Sequence, residues 1–129
     1  MLTLRTGVDL IEIDRLEKLN PAVRERFIQR VFTPAEIALA GSPQAYSFWA
    51  GRFAAKEAVA KALGTGIGPV SWQEIEVLRG PQGEPALTLS GQAAIFAQEL
   101  GLTQWALSIS HSRHYAVATV SALGQQDEA

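Results

Sequence analysis

From Leu2 to Ile13 the chain alternates as a β-strand does, placing Asp9, Ile11 and Ile13 on one face. Asp14-Arg15-Leu16-Glu17 has the form of a capping box and predicts a short helix. Asn20-Pro21 predicts the start of a second, with Val23, Phe27 and Val31 as its apolar stripe and Arg26 and Arg30 on a neighbouring one. Thr33-Pro34-Ala35-Glu36 joins an N-cap, a proline at the first helical position and a glutamate at the third, and Gly41 closes that helix. Ser42-Pro43 opens the longest predicted helix, which runs to Leu63 and stops at Gly64.

The second half reads mostly as strands. Trp72 to Leu78 alternates, Gly80-Pro81-Gln82-Gly83 turns, and Pro85 to Leu89 returns. Ser90 caps a helix that ends at Leu100, before Gly101. Trp105 to Ser110 and Tyr115 to Ser121 form a closing hairpin around His111-Ser112-Arg113-His114. The expected architecture is one α+β domain over residues 1–123, with a mainly antiparallel sheet and a long central helix. The polar tail, residues 124–129, is expected to fray.

A length of 129 residues suits a single domain, and 47% hydrophobic with 19% charged residues is ordinary for a globular one. With no cysteine there is no disulfide, zinc-thiolate site or thiol nucleophile. No apolar run is long enough to span a bilayer and no signal peptide is evident, so a soluble, cytoplasmic protein is expected. The net charge of −2 argues against nucleic acid as a partner. Charge is nonetheless uneven: Arg15, Lys18, Arg24, Arg26 and Arg30 lie close together against only Glu17 and Glu25. A basic patch on an acidic chain suits one particular acidic partner, although a solvated helix face would look the same.

Residues 48 to 68, FWAGRFAAKEAVAKALGTGIG, concentrate the candidate chemistry. On a helical wheel Phe48, Ala55, Ala58, Val59 and Ala62 cover one side, while Arg52, Lys56, Glu57 and Lys61 fall within roughly half a turn of arc. Glu57 and Lys61 could be an ordinary helix salt bridge, and Asp9 in its apolar strand could be a structural ion pair. Taken together, a carboxylate from a strand and one from a helix suit Mg²⁺, which takes few protein ligands and fills its octahedron with water and phosphate oxygens. Arg52, Lys56 and Lys61 would then hold phosphates. The loop Gly64-Thr65-Gly66-Ile67-Gly68 is neither a P-loop nor a dinucleotide fingerprint. It leaves a helix C-terminus, whose dipole repels anions, so any phosphate there needs loop amides and lysines. His111, among Ser108, Ser110 and Ser112, can donate to a phosphate or take a proton, with a plain surface histidine as the alternative.

Three segments together resemble the holo-[acyl-carrier-protein] synthases. They are Gly7-Val8-Asp9-Leu10-Ile11-Glu12-Ile13 with Arg15, Phe53-Ala54-Ala55-Lys56-Glu57-Ala58 with Lys61 and Gly64 to Gly68, and Ser108-Ile109-Ser110-His111-Ser112 with Tyr115 to Ala118. The resemblance implies transfer of the 4′-phosphopantetheine arm of coenzyme A to a serine of apo acyl carrier protein, releasing adenosine 3′,5′-bisphosphate, in fatty acid biosynthesis. It implies Asp9 and Glu57 as Mg²⁺ ligands, and Asp9, Glu57, Lys61 and His111 as the catalytic set. Arg52, Lys56, Lys61, Gly64, Thr65, Gly66 and His111 fall around coenzyme A, and Arg15, Arg26 and Arg30 face the carrier protein. Asp9, Glu57 or water on the metal could each take the serine proton. A single-copy chain further implies a homotrimer with sites between subunits. Two rivals are a phosphotransferase acting on nucleotides without a carrier, and a binding module that tolerates loss of Glu57.

Overall fold

In a computed structural model, which describes residues 1–127, the chain forms five strands and five α-helices. Strand β1 is Leu2–Glu12; helices α1 (Ile13–Glu17), α2 (Pro21–Val31), α3 (Pro34–Ala40) and α4 (Tyr46–Leu63) follow. After a 3₁₀ turn at Trp72–Glu74 come β2 (Ile75–Arg79), β3 (Pro85–Leu89), α5 (Gly91–Glu99), β4 (Leu102–His111) and β5 (Tyr115–Gln125). β1, β5 and β4 form one antiparallel sheet in that order, and β2 and β3 form a second. The α+β architecture with antiparallel sheets and a long central helix is as the pattern predicts. Among the described residues no helix is long and apolar enough to cross a membrane.

Local signals fixed several boundaries. Asn20 accepts from Ala22 N at the start of α2, and Thr33 and Glu36 complete a reciprocal capping box on α3. Gly41 and Gly64 end α3 and α4 in the left-handed conformation. Other boundaries moved. Asp14 does not cap α1, because Ile13 is already helical and its N–H donates to the His114 carbonyl at 2.7 Å; Asp14 instead meets His114 Nδ1 at 2.9 Å. α4 begins at Tyr46, after a turn through Ser42–Ala45. Trp72–Glu74 belongs to a capped 3₁₀ turn, with only Ile75–Arg79 in the strand. β5 continues to Gln125, paired with Leu2, so the strand claims the first residues of the expected tail, and residues 128 and 129 lie outside the described ones.

Helix α4 lies across the three-stranded sheet. Its alanine-rich side packs on Ala118, Val120 and Ala122 of β5, and Val70, Ile75, Val77, Ala93 and Ala97 close the same core from the other side. A second apolar cluster, built on Ile28, Val31, Phe32 and Trp49, joins α1, α2 and α3 to the start of α4. The opposite face of the sheet is uncovered. Leu2, Leu4, Val8 and Leu10 on β1 remain 54–64% exposed, beside an exposed Tyr115. Large exposed apolar patches in general mark interaction surfaces.

Candidate active site

Two glycines let α4 rest directly on the sheet. A Cβ on Gly7 would overlap the Ala58 carbonyl oxygen, and one on Gly51 would lie 2.9 Å from Ile109 Cγ2. Arg5 Nε donates to the Ala62 carbonyl at 2.8 Å while Gly7 meets Ala58, so β1 and α4 run antiparallel. Two residues beyond Gly7, on the same side of the strand, stands Asp9. Lys61 leans back towards it and donates to Asp9 Oδ1 at 3.2 Å and to the Val8 carbonyl at 2.9 Å. The Lys61 side chain is 54% exposed and that of Asp9 only 18%. Glu57 lies one helical turn before Lys61 on the same stripe, and its Oε1 accepts from Trp72 Nε1 at 3.0 Å.

Asp9 Oδ2 and Glu57 Oε2 have no donor among the described residues. No group of three or more His, Cys, Asp or Glu side chains suited to a metal occurs there either. Two carboxylates with one open oxygen each fit a cation that keeps water and phosphate oxygens in its shell, as Mg²⁺ does, and not an all-protein cage. Lys61 borders an open groove of about 460 Å³ formed with Gly7, Val8, Thr119 and Ser121.

The expected common front of four charges divides in two. Lys61 lies nine positions after Arg52, which sets them half a turn apart. Arg52 turns to the second sheet, donating to the Val77 and Leu78 carbonyls at 3.4 Å, with its guanidinium 4.5 Å from the Phe48 ring centre. Burial, then Arg79, lower its pKa, against an opposing pull from Glu36. Lys56 is the clear correction. It is wholly buried, 2.8 Å from Glu36, and donates to the carbonyls of Trp72 at 2.9 Å and Ile75 at 2.6 Å. Three acceptors use its three N–H groups, leaving none for a coenzyme A phosphate.

Amides of the glycine loop are also engaged within the chain. The amides of Thr65 and Gly66 both donate to the Ala60 carbonyl, that of Gly64 to Lys61, and that of Gly68 to Val70. These amides finish the helix and the turn and do not form an anion cradle. Gly66 (φ 63°) and Gly68 (φ 133°) meet an added Cβ with open space, so backbone conformation is what calls for glycine there. The Arg5 guanidinium lies against Gly64. Sequence reasoning passed over it.

His111 is exposed, with Nδ1 3.3 Å from the Ser112 carbonyl. Across the sheet Asp9 pairs with Ala118 and Ala118 with Ile109, whereas Ile11 pairs with Ala116 and Ala116 with His111. Asp9 and His111 therefore occupy opposite edge strands, roughly 12 Å apart by strand spacing and rise. By register His111 shares the helix-facing side with Ile11 and Ala116, and it also borders a groove that Leu10, Tyr115 and Val117 line. Arg15, Arg26 and Arg30 are all exposed. Arg24 is not part of that surface: it is buried and donates to the carbonyls of Leu16, Glu17 and Leu19.

A strand carboxylate, a helix carboxylate and a lysine beside an open groove thus stand together in an α+β fold. The chain belongs to the 4′-phosphopantetheinyl transferase superfamily, whose family model matches residues 5–120. The holo-[acyl-carrier-protein] synthase of Gloeobacter violaceus is 45% identical over 122 residues, covering 93% of this chain and 92% of that one. The crystal structure of Helicobacter pylori holo-[acyl-carrier-protein] synthase in complex with coenzyme A superimposes with a TM-score of 0.79 at 34% identity, covering 91% of this chain and 98% of that one. That of the Bacillus anthracis synthase with CoA (3′,5′-ADP) gives 0.78 at 37% identity, covering 97% and 100%.

Proposed function

We propose that this chain is a holo-[acyl-carrier-protein] synthase, acting in the cytoplasm in support of fatty acid biosynthesis. It transfers 4′-phosphopantetheine from coenzyme A to a serine of apo acyl carrier protein. The bond from the serine oxygen to the β-phosphorus forms, and the bond from that phosphorus to the adenosine 3′,5′-bisphosphate leaving group breaks. The observation that carries this reading is the meeting of Asp9 with Lys61, with Glu57 one turn along α4.

Asp9 and Glu57 would hold Mg²⁺, which when bound supplies charge neutralisation to the pyrophosphate. Lys61 uses two of its three N–H groups on Val8 and Asp9, and the third is free to donate to a phosphate oxygen as charge builds there. Asp9 and Glu57 are the carboxylates in place to receive the serine proton. Arg15 and Arg26, exposed on α1 and α2, face the acidic carrier together with Arg30.

The active assembly is a homo-oligomer, in the form of a trimer. The uncovered apolar face of β1 and β5 packs against another copy, and His111 of one copy approaches coenzyme A held by Asp9 and Lys61 of its neighbour. The separation of Asp9 and His111 on opposite strands supports this arrangement. Mass spectrometry of apo carrier protein incubated with coenzyme A, Mg²⁺ and this chain tests the reading. A phosphopantetheine increment on serine is expected, and its absence defeats the proposal.

A further inference from the structure

Trp72 alternates with its neighbours as the first residue of a strand would, but it lies in the 3₁₀ turn and its side chain runs back to α4. Its carbonyl accepts from buried Lys56 at 2.9 Å, and its indole N–H donates to Glu57 Oε1 at 3.0 Å. The ring has two close neighbours: Phe53 lies 6.1 Å away at a tilt, and the Arg30 guanidinium stands 5.6 Å from the ring centre. Gln73 secures the same turn by donating to the carbonyls of Gln29 and Arg30. Ser71 and Glu74 close it with a reciprocal cap.

We propose that Trp72 is a positioning residue for Glu57: its N–H occupies Oε1 and fixes the carboxylate so that Oε2 faces the cation. A free glutamate on a helix surface samples several rotamers, and each unproductive one lowers metal affinity. A donor held by a buried ammonium, two aromatic or cationic neighbours and a capped turn removes that freedom. Indole supplies one N–H and no acceptor, so it cannot compete for the metal. The inference rests on the assignment of Glu57 to Mg²⁺, and its test distinguishes the two.

Trp72→Phe keeps an aromatic ring beside Phe53 and Arg30 and removes the N–H donor. With coenzyme A present and no carrier, Mg²⁺ is titrated into wild type and variant, following the gain in melting temperature. In wild type the indole ¹H–¹⁵N signals are followed as well, with that of Trp72 assigned through its contacts to Phe53. The Trp72 signal is expected to move with Mg²⁺. In the variant the half-saturating Mg²⁺ concentration is expected to rise about tenfold, the size of effect found when a donor to a metal ligand is lost. An indole signal indifferent to Mg²⁺ overturns the proposal however the variant folds, and so does unchanged Mg²⁺ half-saturation in a folded variant. If Glu57→Gln binds Mg²⁺ as wild type does, the metal assignment itself falls.

Discussion

The ammonium of Lys56 and the carboxylate of Glu36 face each other at 2.8 Å with neither side chain exposed to solvent. Glu36 Oε1 also accepts from Thr33 N, and Oε2 accepts from Val77 N, so one ion pair joins α3, α4 and β2. Burial lowers the lysine pKa and Glu36 opposes that shift. Breaking such a pair from one side strands a charge, at a cost of about 3–5 kcal/mol. Lys56→Met should lower the urea midpoint accordingly, and Glu36→Leu combined with Lys56→Met should be milder than either alone. In folded Lys56→Met protein the KM for coenzyme A is expected to stay at the wild-type value; a rise would return Lys56 to the phosphates.

Asp9→Asn and Glu57→Gln are each expected to cut transfer by at least about a hundredfold. Melting temperatures should stay near wild type, since both side chains are partly exposed. Excess EDTA should reproduce either loss. Full activity in EDTA would defeat the metal assignment.

Arg15→Glu with Arg26→Glu is the cleaner probe of carrier docking, because Arg30 also stacks on Trp72. Exposed pairs contribute about 0.2–1 kcal/mol each, so the double reversal should raise the carrier KM roughly two- to thirtyfold and flatten its salt dependence. The KM for coenzyme A should not change. An unchanged carrier KM would remove these arginines from the interface.

Neighbouring positions on β5 separate assembly from folding. Val117 belongs to the outward side, whereas Ala118 is fully buried under α4. Val117→Asp should give folded, inactive monomer by light scattering and circular dichroism, and Ala118→Asp should unfold the chain. Mixing Asp9→Asn with His111→Ala protein should restore measurable transfer if one copy supplies His111 to the other. No recovery after subunit exchange would place the whole site within one chain.

Glu74 supplies an acid-sensitive element. Chiefly the hydrogen bond from Ser71 N holds its pKa below the ordinary glutamate value of about 4.5. A lowered carboxylate pKa stabilises the fold above the ordinary value, and that stability is lost as pH falls through the lowered one. The side chain is partly solvated, so the effect is modest. Glu74→Gln should be less stable than wild type at pH 7, and the urea midpoints should converge on acidification. Parallel pH curves would contradict this.

Much of this was legible where the signal is local. The Thr33–Glu36 capping box, the Asn20 cap and the glycine stops need only a few consecutive residues. The two carboxylates and Lys61 also stood out, as charges on an otherwise apolar strand and helix. Lys56 did not, because a helical wheel shows which residues share a face and not what covers it. Its partner Glu36 had already been explained as a cap. Trp72 was hidden by competing periods: WQEIEVL alternates, yet Ser71-Trp72-Gln73-Glu74 is itself a capping-box pattern and signals a helical turn. The separation of Asp9 from His111 depends on strand order, which no spacing along the chain encodes.

β1 pairs with β5 without a bulge from Leu2–Gln125 to Glu12–Tyr115. Its inward residues seat the helix and present Asp9, and its outward residues carry the exposed apolar row. The strand is thus a two-sided ruler with no spare side. Inserting or deleting one residue within it would send Asp9 outward and turn leucines onto the helix. Lesions in these eleven residues would not sort into folding, assembly and chemical classes, because a single count along the backbone sets all three.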